Sequence, residues 1–384
     1  MFEGLLEPLF GGLSIASVLL LSALGLAIVF GLMGVINMAH GELMMLGAYT
    51  TFVVQNALKK TAFADLYIFL ALIAAFIVTA LLGLLLERGV VRYLYGRPLE
   101  TLLATWGVSL ILQQFVRSVS WQLVAGIVLF CLFFFGSLWA IDRRADLARW
   151  RNGLATLMFV ISSGIAITVS NILGATYKLA ATKPWFGTQG VDVTAPKWLR
   201  SGLIVGTYQL PYTRLFIIVL TIACVLGIYW FLNQTAWGLR IRAVTQNREM
   251  SSCLGIPTKT VDALTFAIGS GLAGIAGCAV SLLGSVSPNT GQAYIVDTFM
   301  VVVVGGVGKL VGSIVAATAI GLVNFVISSN AFKPLVSFSA DLTAIFDFFA
   351  TSSMAKVLVF ALIVVFLQFR PAGLFPQKGR TVDA

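Results

Sequence analysis

The sequence predicts an all-α polytopic membrane protein with about 8–10 transmembrane helices, some of them interrupted or re-entrant. Its apolar runs approach the roughly 20 residues that a helix needs to cross hydrocarbon, and they are continuous where barrel strands would alternate. Of 384 residues, 59% are hydrophobic and only 10% charged, far below the roughly 25% charged residues of soluble domains. No polar linker divides the chain, so 1–384 reads as one transmembrane domain.

The net charge is +10, but Lys and Arg fall in short loops beside apolar runs. That is positive-inside patterning. It makes membrane lipid the implied partner, and no aromatic-interleaved basic patch argues for nucleic acid. Cys131, Cys224 and Cys278 sit inside apolar runs and Cys253 in a basic loop, a spacing that forms neither a zinc signature nor a disulfide framework. No metal or other cofactor is expected. The start carries Glu3 and Glu7 and no basic residue, so it lacks the n-region of a signal peptide and the first apolar run is expected to stay.

The spans follow in order. The first is 13–32, after which a polar motif interrupts an apolar stretch that resumes through Val54 and closes at Lys59 and Lys60. The next is 66–86, ending in Glu87, Arg88, Arg92 and Arg97. A shorter span, 99–116, carries Thr105, Ser109, Gln113 and Gln114. Two more, 121–141 and 154–173, flank a loop with Arg143, Arg144, Arg149 and Arg151. The stretch 175–212, with Pro184, Pro196 and Pro211, reads as an irregular loop. Then come 212–232, the basic loop 237–259, 261–283, 294–304 with a glycine interruption at 305–309, and 311–327. A mixed segment, 332–353, carries Asp341 and Asp347, and 357–369 is the last span before Arg370-Pro371. Placing the Arg-rich loops and the tail with Arg370, Lys378 and Arg380 in the cytoplasm lets the spans alternate.

The polar motif Asn37-Met38-Ala39-His40-Gly41-Glu42 holds the one histidine of the chain. Ionisable groups between membrane spans are costly and usually functional. Asn37 and His40 are three apart and share a helical face, while Gly41 permits a break. Two readings stay open: a polar constriction that hydrogen-bonds an uncharged or zwitterionic solute, and a brace that holds the helix break. The second interruption, Gly305-Gly306-Val307-Gly308, is expected to face the first, since paired broken segments point to a transport site. The candidate substrate path is therefore Asn37, His40, Gly41, Glu42, Thr105, Gly305 and Gly306. No paired charge at membrane depth stands out, which favours a neutral solute.

Two motif matches fail. Lys309 is followed by Leu310, and Val303 stands where a phosphate loop needs its first glycine. Gly269-Ser270-Gly271-Leu272-Ala273-Gly274 fits the dinucleotide fingerprint but lies inside a long apolar run with no preceding strand. Its small residues suit helix packing in lipid. No nucleophile–base arrangement occurs, so no catalytic residue is assigned and an enzyme is not expected.

The loop 237–259 reads as a short amphipathic helix that ends at Gly255-Ile256-Pro257. Its helical character suggests docking to a cytoplasmic partner, beyond what positive charge alone requires.

The motif 34–49, the loop residues Arg242-Ala243, Asn247 and Gly255-Ile256, the glycines 305, 306, 308 and 312, and the ending Phe369-Arg370-Pro371 with Gly373-Leu374-Phe375 resemble the branched-chain amino acid permease family. These are the membrane subunits of certain ABC importers. The resemblance implies that Gly238, Arg240, Arg242, Asn247, Glu249 and Gly255 belong to a coupling loop for an ATPase. It also implies a second permease subunit in a heterodimer, two cytoplasmic ATPases, a periplasmic substrate-binding protein, and a multi-pass place in a bacterial inner membrane with the C-terminus inside. The segments 97–114 and 186–191 look most like the urea branch, so urea is the expected substrate and a branched-chain or other amino acid the alternative. A passive urea channel or a secondary transporter would have no use for the coupling loop. The chain departs from the family pattern at 119–185, where an inserted pair of helices is expected.

Overall fold

A computed structural model describes residues 2–61, 63–143, 151–177, 184–186, 190–205, 208–328 and 352–375. It is the expected all-α polytopic fold. The long helices are α1 (Phe2–Met33), α2 (His40–Leu58), α3 (Tyr67–Gly89), α4 (Pro98–Ser118), α5 (Trp121–Asp142) and α6 (Arg151–Tyr177). A hairpin of β1 (Gly202–Val205) and β2 (Tyr208–Pro211) precedes α7 (Tyr212–Gln234). Two short helices follow, α8 (Ala236–Gln246) and α9 (Arg248–Cys253). The chain then forms α10 (Thr258–Ser281), α11 (Thr290–Gly305), α12 (Leu310–Ser328) and α13 (Ser352–Phe369). Among the described residues, 8 helices are long and apolar enough to cross a membrane, with α11 and the 356–369 part of α13 as shorter apolar helices.

The segment 332–350 with Asp341 and Asp347, the residues Arg144, Arg149, 187–189, Lys378 and Arg380 lie outside the described residues. The stretch read as an irregular loop contains the hairpin, paired antiparallel from Gly202↔Pro211 to Val205↔Tyr208. Strands this short among prolines carry no periodicity to read.

Contacts divide the chain into two compact units, Met1–Leu110 with Asp192–Ala384, and Ile111–Val191. In the second unit, the Ser120 side chain caps α5 by accepting from the Leu123 amide. Phe130 packs edge-on against Phe159 at 5.5 Å, and Ser170 Oγ donates to the Gln122 carbonyl oxygen at 2.9 Å, joining α5 to α6.

The first unit is built from two triplets that run in opposite directions. The first is α1, a break at 34–39, α2 and α3; the other is α10, a break at 282–289, α11 and α12. Helices α1 and α10 cross antiparallel at Gly25 and Gly269, where a Cβ on either would strike the other's backbone. The third helix of each triplet lies antiparallel on the first helix of the other. On α10, Gly274 sits against Thr79 and Ser270 against Gly83 of α3. On α1, Gly31 sits against Gly308 and Ala16 against Gly321 of α12. Small residues at each crossing let backbones approach closely, the usual device where lipid removes a hydrophobic drive between helices. The glycines of the string 269–274 serve this packing, as expected.

Candidate functional site

The first break is not helical. Gly34 turns it with φ 68°, and the chain runs back along α1, so that Val35 packs with Val29 and Phe266. Asn37 Oδ1 then accepts from the Ala39 amide at 3.1 Å. That local turn, together with the Asn37 carbonyl accepting from the His40 amide at 3.4 Å, starts α2 at His40. Asn37 and His40 therefore lie before and at a helix start, not on a shared helical face.

Each motif side chain is held. His40 is fully buried, and its Nε2–H donates to the Ser22 carbonyl oxygen of α1 at 3.0 Å. A carbonyl only accepts, so Nε2 carries the proton. Ser22 also takes a hydrogen bond from Thr298 of α11 on its hydroxyl at 3.0 Å. Glu42 is buried in the first turn of α2, where a helix N-terminus favours negative charge. It accepts from Ser109 Oγ at 3.2 Å. Thr105 accepts from the Met38 amide at 3.1 Å and donates to the Thr101 carbonyl oxygen at 2.9 Å, tying the break to α4.

The second break, at Ser285-Val286-Ser287-Pro288-Asn289, was not singled out from the sequence. Ser287 and Thr290 close it, with the Ser287 amide donating to Thr290 Oγ1 at 2.8 Å. Its readable signals were Gly284 and Pro288-Asn289 between two apolar runs. It is this break that meets the first: a Cβ on Gly41 would strike the Gly291 carbonyl oxygen, and one on Gly291 the Gly41 carbonyl oxygen. The expectation that residues 37–42 face Gly305 is thus corrected. Gly305 ends α11 and Gly306 begins the turn to α12, and Gly31 approaches this turn at Gly308. Gly306 has φ 97°, and the tail covers this turn: the Leu374 amide donates to the Val304 carbonyl oxygen at 2.8 Å and Phe375 to that of Gly305 at 3.3 Å.

The loop 237–259 contains two helices where one was expected. Thr235 caps α8 by accepting from the Gly238 amide at 3.0 Å, and Asn247 ends α8 and caps α9 by accepting from Met250 at 2.9 Å. Gly255 ends α9 with φ 81°, a conformation that favours glycine. Gly238 lets α8 fold tightly on the end of α7, since a Cβ would strike the Phe231 and Leu232 carbonyl oxygens. Ile241 and Val244 are buried against Val261, while Arg240, Arg242 and Glu249 are exposed beside exposed Leu239, Met250 and Leu254.

A charged cluster ties α9 to the transmembrane helices. Arg248 pairs with buried Asp262 of α10 at 2.5 Å and stacks over Tyr95 at 5.0 Å. Tyr95 donates to Glu87 Oε1 at 3.2 Å, and Arg92 holds fully buried Glu87 with two hydrogen bonds. Burial, with Asp262 and Glu87 nearby, pushes the Tyr95 phenol up, so it stays a donor.

A second pairing corrects the sequence reading of charge. Lys356 Nζ of α13 lies 3.2 Å from Asp297 Oδ2 of α11. Asp297 is a single carboxylate in an apolar run, a signal that sequence reading passed over.

Apolar helices of membrane-spanning length, with two helix breaks that meet inside the bundle, fit a membrane transport subunit. The family described as branched-chain amino acid transport system / permease component matches residues 9–367, and the chain belongs to it. It is similar to the high-affinity branched-chain amino acid transport system permease protein BraD of Pseudomonas aeruginosa, 24% identical over 96% of this chain and 95% of that one. It is also similar to the corresponding permease protein LivH of Salmonella typhimurium, 26% identical over 87% and 90%. The fructose import permease protein FruF of Bifidobacterium longum is 27% identical over 49% of this chain and 58% of that protein. No solved structure matches the chain at a significant level.

Proposed function

We propose that this chain is the membrane-spanning permease subunit of an ATP-driven importer in a bacterial inner membrane, and that it forms part of the path for an amino acid with an aliphatic side chain. The match to BraD over nearly the full length of both chains carries the reading. It favours the amino acid over urea. ATP hydrolysis belongs to two partner subunits docking on α8 and α9, whose exposed apolar and basic residues suit a protein contact. A periplasmic binding protein delivers the substrate, and a second permease subunit completes the path.

Arg370 follows α13 at the end of the first unit that carries the α11–α12 turn, and α8 packs near Leu32 at the same end of α1. This supports a cytoplasmic C-terminus. Asn37, His40, Gly41, Glu42 and Thr105 act as the joint at which α2 moves against α11, and Gly305 and Gly306 as the joint at the other end of α11. Gly238, Arg240, Arg242, Asn247, Glu249 and Gly255 shape or present the ATPase contact. Crosslinks from Cys253 or from a cysteine at Glu249 to a co-purified ATPase subunit test it. Their absence from a transport-active complex overturns it.

A further inference from the structure

A cavity of about 430 Å³ lies between α1, α7, α11, α12 and α13, toward the end of the first unit opposite α8 and α9. That volume lies within the range of ordinary small-molecule sites. Three charges line it: Arg214 of α7, Asp297 of α11 and Lys356 of α13. Much of the remaining wall is apolar, with Leu19, Ile320 and Val359 among its residues.

We infer that this cavity is a binding station for a small zwitterion with an aliphatic side chain, its ammonium on Asp297 and its carboxylate on Arg214. The inference rests on the amino-acid reading above. Charges among membrane helices are costly and tend to mark a substrate path, and a neutral solute needs none of them. Asp297 and Lys356 satisfy each other at 3.2 Å, with the Asp297 side chain 13% exposed and that of Lys356 48%. A pair with one partner this exposed is weak and easily exchanged. Arg214 has no ion-pair partner among the described residues, which leaves a cation to meet a carboxylate. An incoming ammonium takes over Asp297, and Lys356 turns outward or joins Arg214 on the carboxylate. The apolar wall accepts the side chain.

The station is also wired to the helix break. Asp297 adjoins Thr298, which donates to Ser22, whose carbonyl oxygen accepts from His40. A ligand that pulls on Asp297 therefore acts one residue from the contact that positions α2.

The test measures equilibrium binding of tritiated leucine to the purified, full-length permease complex without binding protein. Asp297→Asn and Arg214→Gln are each expected to weaken binding roughly tenfold or more, with Asp297→Glu restoring most of it. Leucinamide, which lacks the carboxylate, and 4-methylpentanoate, which lacks the ammonium, should compete poorly. Size-exclusion behaviour of each variant complex checks assembly, and competition by the two analogues in the unaltered complex needs no variant. Unchanged binding in both charge variants overturns the inference, as does absence of leucine binding to the unaltered complex. Binding of glycerophosphoethanolamine in place of leucine would make the cavity a lipid-headgroup site and overturn it too. ATP-driven leucine uptake in the same preparation separates the two readings: uptake that survives both variants leaves the permease reading standing and removes the station.

Discussion

Gly41 and Gly291 stand at the starts of two helices that meet backbone to backbone, each carbonyl oxygen occupying the space where the other residue's Cβ would be. Both helices begin inside the bundle, and each leads away toward the opposite end. Their N-terminal amides and the partial positive charge of two helix ends are therefore concentrated at one crossing. Glu42, one residue on, places a carboxyl group there. The crossing is the joint between the two inverted triplets, and the first prediction concerns its spacing.

Gly41→Val and Gly291→Val should each separate α2 from α11, at about 1–3 kcal/mol of overpacking strain. Thermal unfolding of the purified complex should show a lowered midpoint in both. Gly107 is the control: a Cβ there would meet nothing within 4 Å, and Gly107→Ala should change little.

His40→Ala removes the donor to the Ser22 carbonyl oxygen and opens space beside Gly25. Uptake should fall about tenfold, the equivalent of roughly 1.4 kcal/mol, while the complex still assembles. Glu42→Gln should act more mildly, because its side-chain oxygen still accepts from Ser109. Uptake at full rate in both variants would remove the motif from the transport cycle.

Arg248 of α9 is linked to Asp262 of α10. Arg248→Ala leaves Asp262 buried without its cation, at about 1–3 kcal/mol. The expected result is uncoupling: ATP hydrolysis by the assembled importer persists, and substrate moved per ATP falls. Asp262→Asn with Arg248→Ala should recover part of the loss, since no unpaired charge is then buried. The ratio of uptake to phosphate release measures this, and an unchanged ratio contradicts the link.

Leu239 of α8, Met250 of α9 and Leu254 just after it are exposed at 63%, 58% and 74%, on the surface proposed to meet the ATPase. Replacing Met250 and Leu254 with Asp should weaken capture of the ATPase subunit without altering the fold of the permease, read by co-purification and by circular dichroism. Co-purification at full yield would move the docking site elsewhere.

The spans were legible because continuous apolar runs of helical length have few other uses, and 13–32, 66–86 and 212–232 lie within α1, α3 and α7 but for a residue at the start of α3. The end of the basic loop was legible for a local reason, since Gly255 carries its signal in its own chemistry, whereas Asn247, read as lying inside one helix, ends α8 and caps α9. What sequence reading missed depends on partners far along the chain. The break at 285–289 has little similarity to 34–39 beyond the glycine at the second position of the helix after each, and its match with the first break exists only because the triplets fold in opposite senses. Gly305-Gly306 carried the stronger glycine signal, but those glycines serve a turn covered by Leu374 and Phe375. Asp297 and Lys356 are 59 residues apart, so neither announced the other.

The central claim is that this permease passes an aliphatic amino acid under the control of ATP. The most direct test reconstitutes the complete importer, with its second permease, ATPases and binding protein, into proteoliposomes and follows labelled leucine and labelled urea in parallel. The expected result is leucine accumulation that requires ATP, and no ATP-dependent urea uptake. Urea accumulation without leucine, or leucine flux that proceeds equally without ATP, would contradict the claim.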